Sequence, residues 1–151
     1  MAYLLLKSLH IVSVAIWVGG LTALLVLGLW LARRPLDALP SALLPAGRWF
    51  GERVLVPAGV LGLLTGIGLA RLSDGGLQPW MLWGLVALLA VATLDAVPLQ
   101  RTLRRLNDRL ARPRHIGWQG RGLLLRANAL IAVDLVLLLS AVAAMVFKPA
   151  F

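Results

Sequence analysis

With 151 residues, 60% of them apolar, only 14% charged and a mean hydropathy of +0.89, the chain falls outside the soluble globular class, and its length allows one domain. It contains no cysteine, which removes disulfides, thiolate metal sites and iron–sulfur clusters. The formal charge of +9 would suggest nucleic acid in a soluble protein, but here the basic residues crowd between apolar runs with no stacking platform or recognition fold, so no nucleic-acid partner is expected.

The first apolar run covers 3–31, ample at about 1.5 Å per residue for a hydrocarbon core of about 30 Å. It is far longer than the roughly 7–15 residues of a signal-peptide core and no small-residue cleavage site follows, so it reads as a retained span. On a 100° wheel Lys7, His10, Ser13, Trp17 and Gly20 fall close to one face, which should turn toward other helices or a bound group. Ala32-Arg33-Arg34-Pro35 stops the run. Pro35, Pro40, Pro45 and Gly47 argue against one clean helix over 36–50, which is expected as an interfacial connector anchored by Trp49 and Phe50.

The second run, about 54–72, has Pro57 in its first turn, where the missing N–H costs little. Gly59, Gly62, Gly66 and Gly68 thin one side of it, and Gly62 with Gly66 forms a small-xxx-small pair. Such a side admits a neighbouring helix, a flat cofactor or a second copy of the chain. The run ends at the turn signal Ser73-Asp74-Gly75-Gly76. The third run, about 80–99, should bend or end near Pro98. Beyond it Leu99, Leu103, Leu106 and Leu110 recur at helical spacing with arginines between them, a helical extension. The fourth run, about 123–147, closes at Lys148-Pro149. No stretch alternates with period two. These runs predict an all-α, transmembrane four-helix bundle.

Arginine writes the orientation. Arg33, Arg34, Arg48 and Arg53 follow the first run, and Arg101, Arg104, Arg105, Arg109, Arg112, Arg114 and Arg121 follow the third, with Arg126 just inside the fourth. The short turn between the second and third holds only Arg71 and Asp74. The positive-inside rule then places both long segments in the cytoplasm and both termini outside, N-out and C-out. The arginine-rich face is expected to meet anionic lipid headgroups.

Two acids interrupt the apolar runs, each costing about 2.5–3.5 kcal/mol to insert at mid-span. Asp95 is expected to pair with Arg53 or Arg126, or else to form a proton or anion site. Asp134 is expected to be neutral, or to accept from His10 or Ser13. His10 has three readings: an axial ligand to haem, a ligand to copper, or a hydrogen-bonded structural residue. His115, the only other histidine, belongs to the arginine-rich segment, so a second axial ligand would come from another copy of the chain or from a different residue type. For copper, Met1, Met81 and Met145 all fall at the outer ends of spans. No nucleophile–histidine–acid set and no phosphate loop is present.

The stretches LLLKSLHIVSVAIWVGG, RVLVPAGVLGLLTGIGLA and PWMLWGLVALLAVATLDAVPLQRTLRRL, with the closing MVFKP, resemble a family of four-span bacterial integral membrane proteins of unknown function. That family is distantly similar to the HemJ-type protoporphyrinogen oxidases and to the CopD-type copper-resistance proteins. The resemblance implies a bundle in the bacterial inner membrane and, for the HemJ type, a b-type haem and oxidation of protoporphyrinogen. His10 matches the HemJ first-span histidine, and Arg53, Pro57 and Gly59 match the opening of its second span. Lys148-Pro149 resembles the end of its fourth. The lysine, often with a histidine, that HemJ-type proteins carry at the start of the third span is replaced here by Trp80-Met81-Leu82-Trp83-Gly84.

The expectation is therefore a small multi-pass protein binding haem b or a related porphyrin in a redox or haem-handling role. His10 would be the ligand to the metal, and Trp17, Gly20, Arg53 and Asp134 would shape the site. The alternatives are a non-enzymatic accessory or assembly subunit of a larger membrane complex, and a copper transport or tolerance protein. A homodimer through the small-residue face of the second run is a further expectation.

Overall fold

The computed structural model describes residues 1–34, 43–72, 78–110 and 117–147. The turn signal at 73–76, Lys148-Pro149, Pro35, Pro40, Arg112, Arg114 and His115 lie outside the described residues. Within them the chain is helical and contains no strand. The helices are α1 (Ala2–Leu31), α2 (Leu43–Phe50), α3 (Val56–Arg71), α4 (Pro79–Leu94), α5 (Gln100–Leu110) and α6 (Gly117–Phe147). A π turn, Gly51–Leu55, joins α2 to α3 and another, Asp95–Leu99, joins α4 to α5. The result is four long helices, each apolar enough over its length to cross a bilayer, as a multi-pass membrane protein requires.

Prolines explain where the π turns fall. Pro57 and Pro98 have no N–H for the carbonyl four residues back, and in each case the ladder widens by one residue instead of breaking. The amide of Val56, for example, reaches Gly51 O. Pro98 therefore does not end the third span; the helix runs on through it. Of the expected connector at 36–50, the described second half is helical. Residues 43–50 are helical because Pro45 lies in the first turn, where backbone N–H groups have no intrahelical partner. Trp49 is exposed, but Phe50 packs into the interior against Gly20 and is not an interfacial anchor.

The long helices lie antiparallel in the order α3, α1, α6, α4. Contacts fix the sense. On α1, Leu6 meets Gly68, His10 meets Gly66, Ser13 meets Gly62, Trp17 meets Gly59 and Gly20 meets Leu55. Gly28 meets Asn128 of α6, and Gly84 of α4 meets Met145 of α6. Among the described residues α3 and α4, the two ends of the row, barely meet. The described arginines at 33, 34, 48, 53, 101, 104, 105, 121 and 126 thereby gather at one end of the bundle, called here the arginine end.

On α6, Leu124, Ala127, Ile131, Asp134, Leu138 and Ala141 are all buried, and they recur at alternating spacings of three and four. This is the seam of a left-handed helix pairing. Leu21, Leu55, Val91 and Leu99 join it in the main core. A second cluster at the arginine end sets Leu106 of α5 against Leu31, Ala32 and Leu124, so the helical extension docks its leucine face as its spacing predicts. The opposite face of α5 carries Arg101, Arg104 and Arg105, all exposed. At the same end the Arg34 guanidinium lies 4.5 Å from the centre of the Trp30 ring. Large apolar side chains such as Leu5, Val60, Leu89 and Val136 point outward on every span, as lipid-facing positions should.

Candidate functional site

His10 sits one-third of the way along α1, where the helix lies against the glycine stripe of α3. Gly66 has no side chain, and a Cβ there would come within 3.2 Å of the imidazole Cε1. The ring can therefore enter the interface edge-on. Its Nδ1 is 3.0 Å from Gly62 O and 3.1 Å from Thr65 Oγ1. The Thr65 hydroxyl spends its own hydrogen on the backbone, 2.7 Å from Leu61 O. A carbonyl oxygen only accepts, so Nδ1 must carry the hydrogen and donate it. In the neutral ring Nε2 is then the unprotonated nitrogen, and among the described residues it has no partner.

This is the arrangement in which a ligating histidine is usually held: one ring nitrogen tied to a carbonyl, the other presenting its lone pair. Ser13, one turn further along α1, is buried and donates to Leu9 O at 2.7 Å. Its hydroxyl is thereby removed from competition for His10.

The remaining sequence-predicted residues do not converge on the imidazole. Lys7 is exposed, and its neighbour Leu6 takes the place on the α3 face. Trp17 lies flat on Gly59, with its Cζ2 3.3 Å from where a Cβ would stand. Gly20 makes room for Leu55 and Phe50. Both residues belong to the α1–α3 interface proper. Arg53 is exposed at the arginine end. Asp134 is on α6, level with Thr22 of α1 when the antiparallel register is counted from Gly28 and Asn128. That is roughly 18 Å from His10 along the axis at 1.5 Å per residue, so the expected contact of Asp134 with His10 or Ser13 is ruled out.

Asp95 corrects a second expectation. Among the described residues the one ion pair is Arg48–Glu52, exposed on both sides, while Arg53 and Arg126 are exposed and leave Asp95 unpaired. The side chain that Asp95 meets is Asp134.

The glycine stripe is occupied by Leu6, His10, Ser13 and Trp17, so within one chain its occupant is a helix. Neither a flat cofactor nor a second copy can lie there without displacing α1. Met145, one of the three methionines considered for copper, fills the notch at Gly84 as an apolar packing group. The described residues contain no group of three or more His, Cys, Asp or Glu side chains able to hold a metal ion together.

No family model, curated protein or solved structure matches the chain.

The donor set fits an axial imidazole and little more. Tied at Nδ1 and open at Nε2, His10 can supply one ligand to a haem iron. Gly62 and Thr65 are the functional residues that sequence reasoning missed as partners of His10. The signal for them was the polar Thr65 inside the glycine stripe.

Proposed function

We propose that the chain is a small multi-pass membrane protein that binds haem b or a related porphyrin through His10, in a redox or haem-handling role. The observation that carries this reading is the pair of contacts at Nδ1, to Gly62 O and Thr65, which in the neutral ring leaves Nε2 with its lone pair. A hydrogen bond at Nδ1 fixes the ring plane and so the direction in which the other nitrogen is presented as a ligand. A b-type haem held there would supply one-electron redox chemistry. The chain's own part is to present the imidazole in one orientation, wedged at Gly66 between the Leu6 and Ser13 positions of the α1–α3 interface. A second axial ligand would come from another copy of the chain or from a non-histidine group.

The setting that goes with this reading is the bacterial inner membrane, N-out and C-out, with the arginine end in the cytoplasm. Arg101 and Arg104, with Gln100, Ala96 and Val97, line a surface pocket beside the second π turn. Their guanidinium groups suit the phosphate of an anionic lipid headgroup.

The deciding experiment compares oxidised and dithionite-reduced absorption spectra of detergent-purified wild type and His10→Ala. A Soret peak with a sharpened alpha band, absent from the variant, is the expected result. A flat spectrum that stays flat after haem addition removes the haem reading and leaves the accessory-subunit reading in its place. Copper is separated by equilibrium metal binding: binding unchanged by replacing His10 and Met1 discards it.

A further inference from the structure

The feature that the His10 site leaves unexplained is a pair of facing carboxyls near the arginine end. Asp134 occupies a seam position of α6 and has no exposed surface at all. No donor reaches either of its oxygens, nor Oδ1 of Asp95. Counted from the Gly84–Met145 contact, the antiparallel register of the third and fourth spans sets Asp95 level with Asp134, eleven residues along each, and the two carboxyls face each other there.

Among the described residues the surroundings are apolar. Leu21, Leu24 and Leu25 of α1, Phe50 of α2, Leu55 of the first π turn and Val91 of α4 complete the core around α6 at this end. The elements packed here carry Lys7 on α1, Arg48 on α2, Glu52 and Arg53 on the first π turn, Arg101, Arg104, Arg105 and Asp108 on α5, and Arg121 and Arg126 on α6. All of these are exposed, and among the described residues none pairs with either carboxyl.

An ionised carboxylate can only accept hydrogen bonds. Two of them facing each other in an apolar core repel, and each loses its hydration without compensation. A protonated carboxyl, by contrast, donates a short and strong bond to its ionised neighbour. The donor missing from Asp134 is therefore a hydrogen that the pair must itself carry.

We propose that Asp95 and Asp134 form a proton-binding site, one proton being held between the two carboxyls inside the membrane. Asp134 is sealed, whereas Asp95 is half-buried at the first residue of a π turn. Protons enter and leave by Asp95, beside the turn that continues to Gln100 and Arg101. This site is separate from His10 and does not depend on the haem reading.

Infrared spectroscopy of the full chain in zwitterionic liposomes tests it, because only six side chains are acidic. At neutral pH the wild type is expected to show a protonated-carboxyl C=O band that shifts down in D2O. Asp134→Asn and Asp95→Asn should each abolish the band, since an amide supplies the missing donor hydrogens itself and lets the remaining partner ionise. Absence of the band from the wild type overturns the proposal, and that result needs no variant to fold. Persistence of the band in both variants overturns it too, by placing the proton elsewhere. Carboxylate bands that move with sodium at fixed pH would make the ligand a metal cation and end the proton assignment.

Discussion

His10 and Asp134 are polar groups set into apolar helices of the same small bundle, and their surroundings differ in one decisive respect. Around His10 every hydrogen has an acceptor: Nδ1 donates to Gly62 O and Thr65, Thr65 to Leu61 O, and Ser13 to Leu9 O. Around Asp134 there are acceptors and no donor. The first region is completed by the chain itself, and its one open valence is the lone pair on Nε2. The second is incomplete as a set of protein atoms and calls for a hydrogen from outside. A buried polar group bonded on all sides is structural; one left with a specific vacancy of donor or lone pair advertises the chemistry of what completes it.

The comparison can be broken most forcibly at the glycine that admits the imidazole. Gly66→Leu puts a branched side chain where a Cβ alone comes within 3.2 Å of His10 Cε1. Overpacking of this kind costs roughly 1–3 kcal/mol. Thermal unfolding in detergent should drop accordingly, with any haem absorbance lost alongside; an unchanged midpoint would show that the ring is not wedged as described. Asp134→Leu acts in the opposite direction. It trades a donorless buried carboxyl for an apolar seam residue, and Asp95 is left half-buried and able to hydrate. Stability should hold or rise by about 1 kcal/mol, the scale of one unmet buried hydrogen bond. A large loss would mean that the pair contributes to folding. Thr65→Val is the mildest change, removing one of two acceptors at Nδ1 while Gly62 O remains. Hydrogen bonds between membrane helices average about 0.6 kcal/mol, and a double-mutant cycle with His10→Ala should return a coupling near that value.

Most of the fold was legible in the sequence because bilayer thickness and helix rise leave little freedom: four long apolar runs, arginines between them, and a leucine stripe through Leu99, Leu103 and Leu106 that docks as its period requires. The glycine stripe was legible as a packing surface, though not as the particular surface that receives α1. Less could be read where two helices must be placed in register. The wheel put Lys7 beside His10, yet a face read from one helix does not say how wide its neighbour's contact is, and Leu6 makes that contact instead. Asp95 was expected to seek an arginine of similar depth. The arginines snorkel outward from exposed faces, whereas the two acids point into the same seam. The alternating three–four spacing through Leu124, Ala127, Ile131, Asp134, Leu138 and Ala141 is visible in the letters alone and would have put Asp134 in the interior.

The second π turn has a bearing on which way the basic helix faces. A π turn carries one residue more than an α turn, and one residue is about 100° of helical rotation. Residues 95–99 thus act as a fixed phase offset between the membrane part of the helix and α5 beyond it. Deleting one of those residues would turn Leu106 away from Leu31 and Leu124, and would sweep the exposed arginines toward that leucine cluster. The side of the protein that offers positive charge is set, in this sense, by the place of a single imino acid, Pro98.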